Sequence, residues 1–219
     1  MKNLSLSCGV ALGAMLLATA VNASDIYGLN MRSGYQMYQT TTDDFVGNFS
    51  MFGDQWANPA FAMDLDPTGT TMYAILYDQI NTYGTVDLNT GEFSALGQLS
   101  GPTQPNTTGL SVDPTTGIWY LTNSDGLYAG DIATGVFSFV GAIGFDLCID
   151  IAIDSQGNAY GMDIANDELF SINLATGAGT LIGPTGMAAN YAQGMDFDYA
   201  TDTLYATIYT GGGTGVFAY

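Results

Sequence analysis

Hydrophobic and polar residues alternate over short runs along the chain after residue 24, and turn-forming residues separate the runs. The stretch SVDPTTGIWYLT (111–122) shows the pattern, with two runs flanking Asp113, Pro114 and Gly117. An aspartate can accept a hydrogen bond from the backbone two residues on, proline presets φ, and glycine can leave the turn at positive φ. Short alternating runs rich in Tyr, Phe, Val and Ile are typical of strands. The stretch therefore predicts a β-hairpin.

The same phrase returns as DLDPTGTTMYAI, AIDSQGNAYGM and DFDYATDTLYAT. A second phrase, G-x-x-S/T-x-apolar-G, begins at Gly47, Gly91, Gly135 and Gly177, with spacings of 44, 44 and 42 residues. This period indicates a repeat fold, and four short antiparallel strands in about 44 residues match one blade of a β-propeller. A single sheet cannot bury both faces, so stacked blades explain why both faces of these strands are apolar.

The order of the phrases predicts an all-β protein with one domain over residues 24–219. Counting strands gives five blades, of which the first (strands 2-3-4) and the last (strands 1-2-3) are three-stranded. A four-bladed ring with a displaced end and an open arc remain alternatives. No helical periodicity of useful length occurs after residue 24.

Residues 1–23 have the features of a secretory signal peptide: Lys2 near the start, an apolar run to Ala20, and small residues before a cut after Ala23. We therefore expect the protein to be secreted, in the periplasm or outside the cell. Cys148 is then the one remaining cysteine, so no internal disulfide is expected, and its apolar surroundings predict a buried side chain.

The chain is strongly acidic, with 21 Asp and Glu residues against two Lys and Arg and a formal net charge of −19. Such a surface repels phosphate backbones and anionic lipid headgroups. We expect no nucleic-acid partner and no insertion into a membrane.

The segment IAIDSQGNAYGMD resembles the repeat of NHL and streptogramin-lyase propellers. The recurring D-x-x-T-G-x-x-S/T-x-x-G, together with D-P-T-T-G-x-x-Y, is similar to secreted bacterial propellers of the DUF4394 kind. The resemblance covers nearly all of residues 24–219. These motifs form turns and strands, so the resemblance implies the fold and no particular activity. Catalysis in the lyase relatives needs a histidine, and this chain has none.

Absent residue types exclude most catalytic chemistry. Without histidine, and with Lys2 inside the predicted signal peptide, there is no Ser-His-Asp triad, Schiff-base lysine or imidazole metal site. Asp64, Asp150 and Asp196 on or beside inner strands leave a carboxylate-based glycosidase or lyase as a distant alternative. The other interpretation is that they satisfy backbone donors between blades. We therefore predict a protein that is not an enzyme.

The loops between strands 2 and 3 of a blade, and those that join strand 4 to strand 1 of the next blade, are expected on one face and differ from repeat to repeat. Variable loops on a constant scaffold are where recognition usually occurs, so this face is the predicted binding face, and the loops from strand 4 to strand 1 carry its candidate residues. Two of them combine an aromatic ring with carboxylate or amide groups, which suits a glycan or protein ligand. The alternative is that their aromatic residues pack between blades. The predicted ligand-binding residues are Asp54, Trp56, Asn58, Asn190, Tyr191 and Gln193.

The loop DIANDE (163–168) places three carboxylates close together in sequence, at Asp163, Asp167 and Glu168. Calcium prefers carboxylate and carbonyl oxygens on flexible loops, so calcium is the candidate metal here. A second functional hypothesis is a structural or self-assembling envelope or extracellular-matrix protein, because incomplete end blades leave edges that can pair and form oligomers.

Overall fold

The computed structural model describes residues 2–5, 17–18, 24–30, 34–42, 49–101, 107–124, 126–190, 194–210 and 214–218. Within these ranges the regular structure is entirely β-strand. The described part of the chain holds no helix of the length and hydropathy that a membrane span requires.

The strands are short and follow one another closely. Their bounds are β1 (Lys2–Ser5), β2 (Leu17–Ala18), β3 (Asp25–Asn30), β4 (Gln36–Thr41), β5 (Ser50–Phe52), β6 (Ala60–Leu65), β7 (Met72–Leu76), β8 (Thr82–Val86), β9 (Phe93–Gln98), β10 (Gly109–Val112), β11 (Trp119–Asn123), β12 (Gly126–Asp131), β13 (Val136–Gly141), β14 (Cys148–Ile153), β15 (Ala159–Asp163), β16 (Glu168–Ile172), β17 (Gly179–Pro184), β18 (Gly194–Asp198), β19 (Thr203–Tyr209) and β20 (Thr214–Ala218).

The described strands form a β-propeller arrangement. Four sheets begin on an inner strand and run outward in chain order: β6–β9, β10–β13, β14–β17 and the three-stranded β18–β20. These are called the second to fifth sheets. The inner strands β6, β10, β14 and β18 lie side by side, and β1 lies beside both β6 and β18. Hydrophobic alternation and the repeat period were therefore sufficient to predict the fold class and the last, three-stranded blade.

The prediction of five blades is wrong, because only four of the sheets formed by the described residues have this meander order. The first sheet has five strands in the order β2-β1-β3-β4-β5, where a three-stranded blade was predicted. Its strand β1 runs parallel to β3, with Leu4 opposite Ile26 and Ser5 opposite Tyr27. The prediction of a signal peptide over residues 1–23 leaves no strand there, and it therefore does not include this pairing. The signal peptide itself stays a prediction.

Burial decreases from the inner to the outer strands of the second, third and fourth sheets. All residues of β10, β14 and β18 are buried, whereas β9 and β17 are mostly exposed. Each inner strand is covered on both faces by neighbouring sheets, so its residues are buried throughout, and its polar side chains need partners inside the protein. Cys148 is free and buried, as predicted, and burial raises the pKa of its thiol to about 12.

The predicted hairpin of residues 111–122 is confirmed. Val112 lies opposite Trp119 across β10 and β11. The Asp113 carboxylate accepts the backbone N–H of Thr115 at 2.8 Å, and Gly117 leaves the turn with φ of 74°. Local turn chemistry therefore sets the register of the strands.

Candidate functional site

After the outer strand of one sheet, the chain crosses to the next sheet. We call the boundary between two such consecutive sheets a seam. At the seam between the second and third sheets, the Ser100 N–H donates to Gly135 O and the Phe137 N–H donates to Ser100 O, both at 2.8 Å. At the seam between the third and fourth sheets, the Gly179 N–H donates to Ile143 O at 2.8 Å. Both seams are thus closed by the backbone.

The seam between the first and second sheets is closed differently. The indole Nε1–H of Trp56 donates to Gly91 O at 2.8 Å, and the indole packs on Phe93 with ring centroids 5.3 Å apart. A side chain here makes the contact that a backbone segment makes elsewhere. The alternative interpretation, in which Trp56 packs between blades, therefore describes part of its role.

A cleft of about 580 Å³ opens beside Trp56 at this seam. Its volume lies in the ordinary range for ligand sites. Loop 53–58 forms one wall, and the start of β9 with the turn before it forms another. We call it the Trp56 cleft, and its lining residues are Gly53, Asp54, Gln55, Trp56, Ala57, Asn58, Leu76, Thr90, Glu92 and Phe93.

The structure brings three of the predicted ligand-binding residues, Asp54, Trp56 and Asn58, into this one cleft. Asp54 is exposed, and the other two are half-buried. Asp54 and Glu92 give the cleft two exposed carboxylates next to an aromatic pair. Such a site favours a cationic group that also has apolar surface.

The other predicted ligand residues do not join this cleft. Asn190 is exposed in the connection between β17 and β18, and its backbone N–H donates to Tyr209 O at 2.8 Å in the fifth sheet. Tyr191 and Gln193 lie outside the described residues.

Sequence reasoning missed Glu92 and Phe93, which lie inside the repeated G-x-x-S/T phrase. A usable signal was present in that phrase. Its second position holds Asn48, Glu92, Val136 and Ala178 in the four repeats, so only the second repeat has a charge there. A charged residue at one copy of a structural position marks that copy as different from the others.

The three predicted calcium ligands are not gathered into a ligand set. Asp163 is fully buried, and its carboxylate accepts the N–H groups of Leu147 and Ala165. The Asp167 carboxylate accepts the Ala189 N–H at 2.7 Å, and Glu168 is half-buried. Among the described residues no group of three Asp, Glu, His or Cys side chains is arranged to hold a metal ion. Calcium binding stays a prediction.

The inner-strand carboxylates are buried, and two of them bridge neighbouring inner strands. Asp64 accepts the N–H of Leu65 at 2.6 Å and that of Val112, in the next sheet, at 3.0 Å. Asp150 likewise accepts the Met195 N–H of the fifth sheet at 2.9 Å. Asp196 is buried and accepts the Phe197 N–H at 2.8 Å. Asp64 and Asp150 thus satisfy backbone donors between blades.

The turn carboxylates of Asp87 and Asp202 and the buried carboxylate of Asp150 have opposite pKa shifts. The backbone N–H groups of Thr90 and Asn89 lower the pKa of Asp87, and the Ser155 hydroxyl lowers the pKa of Asp202. Burial raises the pKa of Asp150 well above its ordinary value, against the hydrogen bonds that it accepts. The pKa of Asp150 is therefore shifted in the opposite direction to those of Asp87 and Asp202.

We expect thermal stability to rise as the pH falls from 7 toward about 4, and to decline at lower pH. Protonation of Asp150 removes the cost of a buried charge as the pH falls through its raised folded-state pKa. Below the ordinary carboxylate pKa, Asp87 and Asp202 lose the stability that their ionised forms contribute. Melting temperatures at fixed high ionic strength test this profile, because salt suppresses the general charge repulsion.

The matched variant for this profile is Asp150→Asn, which has no charge to bury. Its melting temperature is expected to change less between pH 7 and 4 than that of the wild type. A wild-type stability that falls steadily over this interval would contradict the assignment.

Comparison with solved structures shows the fold alone. A structure of unknown function from Bacteroides thetaiotaomicron aligns with a TM-score of 0.62 and 14% identity, over 99% of this chain and 69% of that chain. A chain of a nidogen/laminin complex aligns with a TM-score of 0.57 and 13% identity, over 98% and 76%. A gluconolactonase from Xanthomonas campestris aligns with a TM-score of 0.53 and 11% identity, over 86% and 66%. The sequence matches no protein-family model and no curated protein.

Proposed function

We propose that this protein is a secreted, non-catalytic propeller that binds a protein ligand in the Trp56 cleft through cationic side chains. The observation that carries the proposal is the pair of exposed carboxylates, Asp54 and Glu92, beside the packed rings of Trp56 and Phe93 in one cleft of about 580 Å³. A lysine or arginine side chain offers both a charge for the carboxylates and an apolar stem for the rings.

Three observations favour a protein over a glycan. The formal net charge of −19 attracts basic proteins over long distances. The Trp56 indole N–H already donates to Gly91 O, so it is not free to bind a sugar hydroxyl. One similar fold belongs to a nidogen/laminin complex, which is an assembly of proteins.

The non-catalytic part of the proposal is supported by the available side chains. The chain has no histidine to act as a general base. Asp64 and Asp150 are buried, and each binds two backbone N–H groups. A second cavity, of about 490 Å³ beside Asn158 and Tyr160, has no charged residue in its lining.

The test is retention on an array of basic, neutral and acidic peptides and of glycans. The wild type is compared with the double variant Asp54→Asn/Glu92→Gln, which removes two charges from the cleft and keeps the shape of both side chains. We expect the wild type to retain basic peptides, and the double variant to bind them about tenfold more weakly.

The matched control is Asp131→Asn/Asp146→Asn, which removes two exposed charges at other positions. It is expected to bind like the wild type. An equal loss of binding in both double variants would show that only the overall charge matters. Retention of glycans alone would replace the protein ligand by a sugar.

Self-assembly is a second candidate, because the outer strands expose large apolar residues. Phe139 in β13 and Leu181 and Ile182 in β17 are each more than half exposed, and neither strand contains a charged residue. Edge strands without charged residues can pair with another chain. Sedimentation velocity over a range of concentrations distinguishes this from a monomeric binding protein.

A further inference from the structure

The backbone bridges at the two closed seams show how an extended segment binds an outer strand of this protein. Ser100 pairs with Val136 as a parallel bridge at the start of β13. In that bridge the Phe137 N–H, which points away from its own sheet, donates to the Ser100 carbonyl. The Gly179 N–H at the start of β17 donates in the same way to Ile143 O.

Phe93 occupies the corresponding position at the start of β9. It is the third residue of the repeated phrase, as Phe137 and Gly179 are in theirs. The Asp87 N–H donates to Glu92 O, and donor direction alternates along an antiparallel pair. The Phe93 N–H therefore points away from β8 and toward the Trp56 cleft. Among the described residues it has no hydrogen-bond acceptor.

The Trp56 side chain replaces only one of the two hydrogen bonds that Ser100 makes at the next seam. In the third sheet, Gly135 O accepts a hydrogen bond from a backbone N–H, and the Phe137 N–H donates one to a backbone carbonyl oxygen. In the second sheet, the Trp56 indole N–H occupies Gly91 O, which is the equivalent of Gly135 O. No group supplies the acceptor for Phe93 within the described part of the chain. The unfilled half of the bridge is therefore the half that needs a carbonyl oxygen.

We infer that the Trp56 cleft takes an extended basic peptide whose backbone carbonyl accepts the Phe93 N–H and whose lysine or arginine side chain reaches Glu92 and Asp54. This inference rests on the proposed function and specifies the ligand of the same cleft. The backbone contact is β-strand addition of one residue, as at Ser100. Charge selects the occupant, since a second copy of this chain, with a formal charge of −19, is repelled.

The test is an NMR titration of the ¹⁵N-labelled protein with two capped pentapeptides, Ac-GRLSG-NH₂ and Ac-GELSG-NH₂. The first copies the bridging segment 97–101 with arginine in place of Gln98, and the second carries glutamate there. At about 10 mM peptide, a range suited to weak binding, the arginine peptide is expected to shift the Phe93 amide proton downfield. Hydrogen exchange of that amide is expected to slow about fivefold, as one added hydrogen bond implies.

Three further measurements identify the contact. The amides of Phe137 and Gly179 are internal controls, and they are expected to stay unchanged because their N–H groups already have acceptors. The glutamate peptide is expected to bind about tenfold more weakly. In Asp54→Asn/Glu92→Gln, the preference for arginine is expected to disappear while the Phe93 shift persists at high peptide concentration.

The outcomes separate this inference from the proposed function. If the arginine peptide shifts the Trp56 indole signal but leaves Phe93 exchange unchanged, the cleft binds ligands and the backbone contact is wrong. If neither Trp56 nor Phe93 responds, while the array retains basic peptides, the protein binds basic ligands at another site and both the cleft and the backbone contact are wrong.

Discussion

Replacing Asp64 with alanine is expected to lower the free energy of unfolding by about 2–4 kcal/mol, because each backbone N–H left buried without an acceptor costs about 1–3 kcal/mol. The side chain is 3% exposed, and it accepts the N–H of Leu65 in its own strand and that of Val112 in the neighbouring inner strand. Alanine supplies neither acceptor, so the two backbone N–H groups lose the partner that they have in the wild type. Urea denaturation followed by circular dichroism measures the loss.

The control for this prediction is Asp54→Ala, which removes the same group from an exposed loop. Its free energy of unfolding is expected to change by less than about 0.5 kcal/mol. The variant Asp64→Asn keeps one acceptor oxygen and should fall between the two. A loss below about 0.5 kcal/mol for Asp64→Ala would show that this carboxylate does not join the blades.

Replacing Gly109 with alanine is expected to destabilise the protein by about 1–3 kcal/mol, the usual cost of overpacking a core. A Cβ at this position would lie 2.7 Å from both Asp150 Oδ1 and Ile151 N, and 2.8 Å from Thr122 Oγ1. One of these contacts is backbone and another is a buried carboxylate with fixed partners, so neither can move cheaply. The glycine gives the Asp150 carboxylate its space between the third and fourth sheets.

The matched control is Gly183→Ala in β17, where an added Cβ has no atom within 4 Å. We expect that variant to unfold at the wild-type urea concentration or slightly above it. If both glycine variants lose the same stability, the effect comes from the loss of glycine in a strand and not from Asp150. The interpretation that Gly109 leaves space for the Asp150 carboxylate would then be wrong.

The fold was largely predictable because its determinants are local and repeated. Asp113 and Gly117 set a turn through contacts within a few residues, and the same chemistry recurs at Asp66 and Asp154. Such signals are readable in any sequence. The pairing of β1 with β3 was not predictable, because nothing in residues 2–5 or 25–30 specifies a parallel partner so far along the chain.

Only one wall of the Trp56 cleft, the loop 53–58, was predictable from the sequence. Asp54, Trp56 and Asn58 lie in a loop that differs between repeats, which marks them for recognition. Glu92 and Phe93 lie in a repeated phrase, and repetition of a phrase indicates a structural role. Their role depends on the contact of loop 53–58 with the start of β9, where Trp56 reaches Gly91 and Phe93. That contact forms only when the first and second sheets pack together, so the sequence does not reveal it.

The most direct test of the central claim is the indole ¹⁵N spectrum during titration with the basic peptide that the array retains. The chain has two tryptophans, and Trp119 is buried against Tyr73, away from the Trp56 cleft. The spectrum of Trp56→Phe assigns the two indole signals. We predict that the Trp56 signal shifts until the site is saturated while the Trp119 signal stays in place. A retained peptide that leaves the Trp56 signal unmoved at saturation would contradict a binding site at this seam.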